Sequence, residues 1–325
     1  MRKSFVAAFT ALIGALSLSA GSALAEYPER AITVIVPFSA GGPTDTVTRI
    51  VTEVMSKDLG QQIVVDNVGG AGGTLGAARV AKADPDGYTL LLHHIGISTA
   101  ATLYRRLPYD TLKAFEPVGL VTEVPMVLVA RPDFPPEDLK ELIAYVKENK
   151  DKVNYANAGI GAASHLCGML FMSKIETPLT TVPYKGTGPA LTDLMGGQVD
   201  FMCDQTTNTT NQIKEGKIKA YATTTAQRLD ALPDVPTARE QGLDLEVSIW
   251  HGLYAPAGTP KEIVGRLSKA LQTALADDNV KKRFAQLGTA PSSQEDATPE
   301  ALKKKLVSEV ALWKPIIEAN GQYAD

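Results

Sequence analysis

The chain has 325 residues, of which 44% are hydrophobic and 21% are charged, a composition typical of a folded globular protein. It excludes a disordered, collagen-like or coiled-coil chain. The 32 lysines and arginines against 36 aspartates and glutamates give a formal net charge of −4, so we do not expect nucleic acid as a partner.

The N-terminus has the pattern of a secretory leader. Arg2 and Lys3 precede an apolar stretch over residues 5–18, and Ala23-Leu24-Ala25 is a small-residue cleavage site. No later segment has the roughly 20 apolar residues that a bilayer requires. We therefore predict an exported protein, cleaved after Ala25, whose mature chain has 300 residues.

Strand-like and helix-like patterns alternate along most of the chain, which predicts an α/β fold with parallel strands. The apolar run at Ile32–Val36 predicts the first strand, and the following helix has Pro43 near its start and Gly60 after its end. Further strands are predicted at 62–65, 88–93, 126–130, 153–156, 180–182, 199–202, 218–223 and 248–254, with helices at 75–82, 136–149, 164–173, 189–195 and 207–215. Only helices follow, at 261–276, 279–287 and 299–319.

The length predicts two lobes, because 300 residues approach the usual limit of a single core. We expect the chain to cross between the lobes near Val124-Pro125 and to return near residues 246–248. One lobe would then contain residues 26–124 and 249–325, and the other residues 125–248. Two crossings suit a hinge.

Two distant loops are alike: Val-Pro-Phe-Ser-Ala-Gly-Gly-Pro at 36–43 and Val-Pro-Tyr-Lys-Gly-Thr-Gly-Pro at 182–189. Each follows a predicted strand and opens a helix. Unpaired N–H groups at a helix N-terminus hold a carboxylate or phosphate without a basic side chain. One loop falls in each lobe, so one small anion could bridge them; alternatively, glycine and proline only punctuate the two turns.

A third loop, residues 157–164, also joins a strand to a helix. Ser164 is expected as the N-cap of that helix, with a ligand contact as the alternative. His94 ends a strand, where ligands of α/β folds often bind, or else it faces solvent. Asp45 is interpreted as structural, or as the partner of a ligand ammonium group. None of the three loops contains an arginine, which argues against a guanidinium clamp.

Other chemistries fit poorly. The glycines at 69–76 lack dinucleotide-binding spacing, the four histidines and two cysteines lack metal-ligand spacing, and neither Ser39 nor Ser98 lies in a nucleophile elbow. We predict no cofactor, metal or catalytic residue. Cys167 and Cys203 are expected as unpaired buried side chains, with a disulfide as the alternative.

The chain resembles the tripartite tricarboxylate transporter receptors, the TctC or Bug solute-binding proteins. The resemblance rests on the loop at 36–45, Asn-Val-Gly-Gly-Ala-Gly-Gly at 67–73, Asp-Pro-Asp-Gly-Tyr-Thr-Leu at 84–90, Pro-Tyr-Lys-Gly at 183–186, Asp-Leu-Met-Gly-Gly-Gln-Val-Asp at 193–200 and Ala-Pro-Ala-Gly-Thr-Pro at 255–260. It implies a two-lobed Venus-flytrap receptor of the periplasm, expected as a monomer. Such a receptor binds a small di- or tricarboxylate or aromatic acid and delivers it to membrane transporter subunits.

The resemblance also implies which residues bind the ligand. Its proximal carboxylate would be held by backbone amides and ordered waters at Phe38, Ser39, Ala40, Gly41, Gly42, Tyr184, Lys185, Gly186 and Thr187, with Ala158, Gly161 and Ser164 beside them. The distal end would meet His94 and Asp204, with Ser98 and Thr207 as further candidates. Two alternatives stay open: a co-receptor for a membrane sensor kinase, and a periplasmic enzyme acting on organic acids.

Overall fold

Ten strands form one sheet that is shared by two lobes, in a computed structural model that describes residues 27–320 and 323–324. The predicted leader and its cleavage site lie outside these residues. The strands are β1 (Ile32–Val36), β2 (Ile63–Asn67), β3 (Thr89–His94), β4 (Phe115–Ala130), β5 (Asn154–Asn157), β6 (Thr180–Pro183), β7 (Phe201–Gln205), β8 (Lys219–Thr223), β9 (Ser248–Pro256) and β10 (Ala290–Pro291).

The long strand β4 belongs to both lobes. Its first part, up to Pro125, pairs with β9, whereas Met126–Ala130 pairs with β7 and β8. The first lobe contains the sheet order β2-β1-β3-β9-β4, and the second contains β4-β7-β5-β6 with β8 also on β4. β4 changes partners after Pro125, which lies opposite Ser248 at the start of β9.

Strand direction differs from the prediction at the centre of the sheet. β1 pairs in parallel with β2 and β3, and β5 with β6 and β7. β4 and β9 are instead antiparallel to each of their partners. The expectation of parallel strands is wrong for these two because a strand buried on both faces reads as the same apolar run in either direction.

Ten helices cover the sheet within the described residues. They are α1 (Pro43–Leu59), α2 (Thr74–Ala81), α3 (Gly96–Leu103), α4 (Leu139–Glu148), α5 (Ala163–Lys174), α6 (Thr187–Met195), α7 (Thr206–Lys214), α8 (Lys261–Ala276), α9 (Asp278–Gln286) and α10 (Pro299–Asn320). The predicted helix that starts at Pro43 ends at Leu59, and Gly60 directly after it has a left-handed φ of 68°. None of the described helices is long and apolar enough to cross a membrane.

The apolar core lies on both faces of the sheet. Along β3, Leu90 and Leu92 pack in one buried cluster while Leu91 packs in another, because successive strand residues point to opposite faces. Both faces are therefore covered by helices, and the strand ends and the loops after them are left to form a site.

The cysteine prediction is wrong. Cys167 of α5 and Cys203 of β7 form a disulfide, with Cα atoms 6.0 Å apart. The pairing results from α5 packing on β7, a contact between residues 36 positions apart that spacing alone does not reveal.

Candidate ligand-binding site

A small cavity between the lobes is surrounded by the starts of four helices. Its lining residues are Phe38, Pro43, Thr44 and His94 of the first lobe and Ala158, Ala163, Ser164, Thr187, Asp204 and Gln205 of the second. α1 starts at Pro43, α5 at Ala163, α6 at Thr187 and α7 directly after Gln205. Because the first N–H groups of a helix have no intrahelical acceptor and lie at the positive end of its dipole, this arrangement favours an anion. The lining contains no lysine or arginine.

The cavity is too small for an organic acid as it stands. Its volume is about 10 Å³, room for about one water molecule, whereas pockets for small molecules usually have about 300–1,000 Å³. A molecule of that size would fit here only if the lobes moved apart.

The two similar loops meet where the lobes touch. Ser39 N donates to the carbonyl oxygen of Lys185 at 3.0 Å. A Cβ atom on Gly186 would lie 2.7 Å from Ser39 N, and one on Gly69 would lie 2.6 Å from Lys185 O. Glycine at these positions allows the backbones of the lobes to approach each other this closely.

Several amides of the loops already have protein acceptors in this arrangement. Besides Ser39, Gly41 N donates to Asp45 Oδ2 at 3.0 Å and Tyr184 N donates to Asn157 O at 2.7 Å. The N–H groups in the first turns of α1 and α6 remain as the loops' donors to an anion.

Asp45 is held by protein partners. It also accepts hydrogen bonds from Arg49 Nε at 2.9 Å and Asn67 Nδ2 at 3.0 Å. Burial opposes ionisation, but these bonds and the one from Gly41 leave the pKa of the carboxyl lowered. These contacts match the structural interpretation of Asp45.

His94 is buried and lines the cavity. Its ring stacks on Phe38 with centroids 4.5 Å apart, and Gly96 N donates to its Nδ1 at 2.9 Å. Burial, reinforced by His93 and His251, holds the pKa of His94 well below its usual value. The ring is therefore neutral with its proton on Nε2, the polarity that a ligand carboxylate needs.

Ser164 does not cap α5, contrary to the prediction. The helix starts at Ala163 with Ala162 at the N-cap position, so Ser164 lies within the first turn. Ser164 Oγ accepts a hydrogen bond from Ala158 N at 2.9 Å. The hydroxyl proton can then be donated toward the cavity.

The remaining candidates lie outside the cavity. Ser39, Tyr184 and Lys185 line a larger surface groove of about 860 Å³, and Gly161 O accepts from Thr99 Oγ1. Ser98 donates to Ile95 O, and Thr207 lines a separate groove along α7. Ala40, Gly41, Gly42 and Gly186 belong to the two loops beside the lobe contact.

Five residues at or beside the cavity were not predicted as site residues: Pro43 and Ala163, which begin α1 and α5, and Thr44, Gln205 and His251. Thr44 and Gln205 line it, and Thr44 Oγ1 lies 3.4 Å from Nε2 of the buried His251. Thr44 and Gln205 lie next to predicted helix starts, so a search for residues at helix starts would have found them. His251 comes from β9, whose place beside β3 the sequence does not show.

His93, His94 and His251 form a buried neutral cluster, with neighbouring ring centroids 5.0 and 5.9 Å apart. Burial lowers the pKa of His93 and of His251 to about 3. The described residues contain no group of three or more His, Cys, Asp or Glu side chains placed to hold a metal.

Replacing His251 with glutamine should reduce the loss of stability in acid. Below about pH 6.5 the unfolded state takes up a proton that buried His251 refuses until about pH 3, so the free energy of unfolding falls as the pH drops. From pH 7 to pH 5 this costs about 2 kcal/mol. Urea unfolding at both pH values should show wild type losing about that much more than His251→Gln, and an equal loss would contradict the buried neutral state.

Comparison with known proteins identifies the family. The model of the tripartite tricarboxylate transporter family receptor, TctC, matches residues 47–322. The chain belongs to this family. TctC proteins are periplasmic solute-binding receptors, so the resemblance seen in the sequence is confirmed.

Individual relatives agree with this assignment. A protein of Agrobacterium vitis, described as a UPF0065 protein in the TAR-I ttuE-ttuC' intergenic region, is 54% identical and covers 91% of this chain and 86% of its own. The solved periplasmic binding protein BugD is 52% identical with a TM-score of 0.90, over 92% of this chain and 100% of its own. MatC of Rhodopseudomonas palustris, solved with bound malate, is 45% identical with a TM-score of 0.87, over 90% and 100%. The predicted two-lobed TctC fold is thereby confirmed.

Proposed function

We propose that this TctC receptor closes its lobes around a small organic carboxylate and delivers it to a tripartite tricarboxylate transporter in the membrane. The observation that carries the proposal is the meeting of four helix starts at one interlobe cavity without a basic side chain. The malate bound to the similar MatC supports a carboxylate as the ligand class.

In this proposal both lobes supply donors to one carboxylate group. The first lobe offers His94 Nε2–H and the first-turn amides of α1. The second lobe offers the Ser164 hydroxyl and the first-turn amides of α6. Since each set lies on a different lobe, the bound acid stabilises the closed arrangement.

The moving units would be residues 26–124 with 249–325, and residues 125–248. The proposal places the protein in the periplasm after cleavage of its leader behind Ala25. It assigns no catalytic step.

A thermal-shift screen of C4 to C6 di- and tricarboxylates and aromatic acids tests ligand capture. An acid at 100 times its Kd adds about 2.7 kcal/mol to the free energy of unfolding. Titration of the best acid at low and high ionic strength should show less than a tenfold change in affinity, because backbone donors and not salt bridges hold it. No shift with any acid would overturn the proposal, and a larger loss in salt would overturn capture by backbone groups.

Delivery requires its own measurement. Uptake of the identified acid into membrane vesicles that contain the transporter's membrane subunits should depend on added receptor. Uptake at the same rate without the receptor would contradict delivery.

A further inference from the structure

The cavity contains buried acceptor atoms that have no hydrogen-bond partner. Asp204 is 1% exposed, and although its Oδ2 accepts from Asn208 Nδ2 at 2.5 Å, its Oδ1 is buried without a hydrogen bond. Gln205 Oε1 is also buried without a partner, and so is the Thr187 hydroxyl, which can donate as well as accept. A buried acceptor left unsatisfied costs free energy. A ligand that carries a hydrogen-bond donor could satisfy Asp204 Oδ1.

Other groups around the same cavity are donors. His94 Nε2–H and the Ser164 hydroxyl can donate, and the helix starts add N–H groups. An ionised carboxylate such as Asp204 can only accept. The cavity thus combines donors, which suit a ligand carboxylate, with the Asp204 carboxylate, which does not.

We infer that Asp204 determines specificity by selecting carboxylates that carry a hydrogen-bond donor, a hydroxyl or an ammonium group, over otherwise identical acids without one. The inference rests on the proposed function, since it concerns the same cavity. A donor on the ligand would satisfy Asp204 Oδ1 when the lobes close.

The electrostatics of Asp204 agree with this role. Burial raises the pKa of its carboxyl to about 6, opposed by the Asn208 side chain, the Gln205 backbone and the Thr187 hydroxyl. At neutral pH the group is still mainly ionised. A second carboxylate placed against it would be repelled, whereas an ammonium or hydroxyl group would be attracted.

Succinate, L-malate and L-aspartate provide a matched test, because they share one four-carbon skeleton and differ in hydrogen, hydroxyl and ammonium at one carbon. Isothermal titration at neutral pH should show malate or aspartate binding at least about tenfold more tightly than succinate. The tighter of the two tells whether the donor is a hydroxyl or an ammonium group.

Asp204→Asn tests the residue itself. The amide keeps the shape and the contact with Asn208 but can turn its NH2 group toward the cavity, so the preference over succinate should disappear. Asp133→Asn is the matched control: Asp133 is exposed and ion-paired with Arg131, just after β4 leaves Ala130, which pairs with Phe201 at the far end of β7 from Asp204. It should keep the preference.

The outcomes separate the two claims. If succinate binds wild type as tightly as malate and aspartate, the inference is overturned while carboxylate capture stands. A preference that persists in folded Asp204→Asn also overturns the role of Asp204. If Asp204→Asn does not fold, the wild-type series alone decides. If no carboxylate of the wider screen binds, the proposed function itself fails.

Discussion

Replacing Gly186 with alanine is expected to weaken carboxylate binding about 10- to 100-fold. The new Cβ would lie 2.7 Å from Ser39 N and 3.1 Å from Ser39 Cβ, both on the other lobe. The φ of Gly186 is 163°, which is extended backbone, so alanine adds no left-handed strain within its own lobe. Overpacking of this kind costs about 1–3 kcal/mol, and the cost applies to the closed state.

Gly69→Ala should give the same result from the opposite side, since its Cβ would lie 2.6 Å from Lys185 O. Gly265→Ala is the control, because Gly265 lies within α8 and a Cβ there meets nothing within 4 Å. It should leave affinity unchanged and add up to about 1 kcal/mol of stability. Titration of the identified acid measures the affinities, and wild-type binding by both loop variants would show that closure does not bring these loops together.

Reducing the disulfide should lower the free energy of unfolding by about 4 kcal/mol. The bond joins residues 36 positions apart, and closing a loop of that length removes a corresponding amount of chain entropy from the unfolded state. The bond also ties two walls of the cavity together, because Cys203 precedes Asp204 and Cys167 follows Ser164 by one turn of α5.

Urea unfolding with and without a thiol reductant measures the disulfide's contribution. The variant Cys167→Ala with Cys203→Ala is the control, since it should respond to urea identically in both conditions. Thiol titration establishes that the wild-type bond has been reduced. Equal stability of reduced and oxidised wild type would contradict the contribution assigned to the bond.

Patterns among neighbouring residues correctly predicted the strands and helices whose apolar spacing or boundary residues are distinctive. The apolar run of β1, the face and the Pro43–Gly60 boundaries of α1, and the similarity of the two loops all follow from neighbouring residues. α3 was missed because Gly-Ile-Ser-Thr-Ala-Ala-Thr-Leu has too few large apolar side chains to show a helical period. β4 was predicted to start at Met126, although its paired segment begins at Phe115.

The site was harder to predict because it depends on contacts between distant segments. Of the nominated residues, Phe38, His94, Ala158, Ser164, Thr187 and Asp204 line the cavity. The others do not: Ser39, Ala40, Gly41, Gly42, Ser98, Gly161, Tyr184, Lys185, Gly186 and Thr207. The hydrogen bond of Ser39 with Lys185 and the unpaired Oδ1 of Asp204 arise only when the lobes meet. The roles of the nominated residues in ligand binding stay predictions.

A crystal structure of the complex with the acid identified by the screen tests the central claim most directly. We expect the lobes to enclose the acid, with a carboxylate oxygen at hydrogen-bond distance from both Ser164 Oγ and His94 Nε2, between the starts of α1 and α6. An acid bound in the larger surface groove beside Leu75 and Lys185, or on one lobe alone, would contradict capture between the two loops.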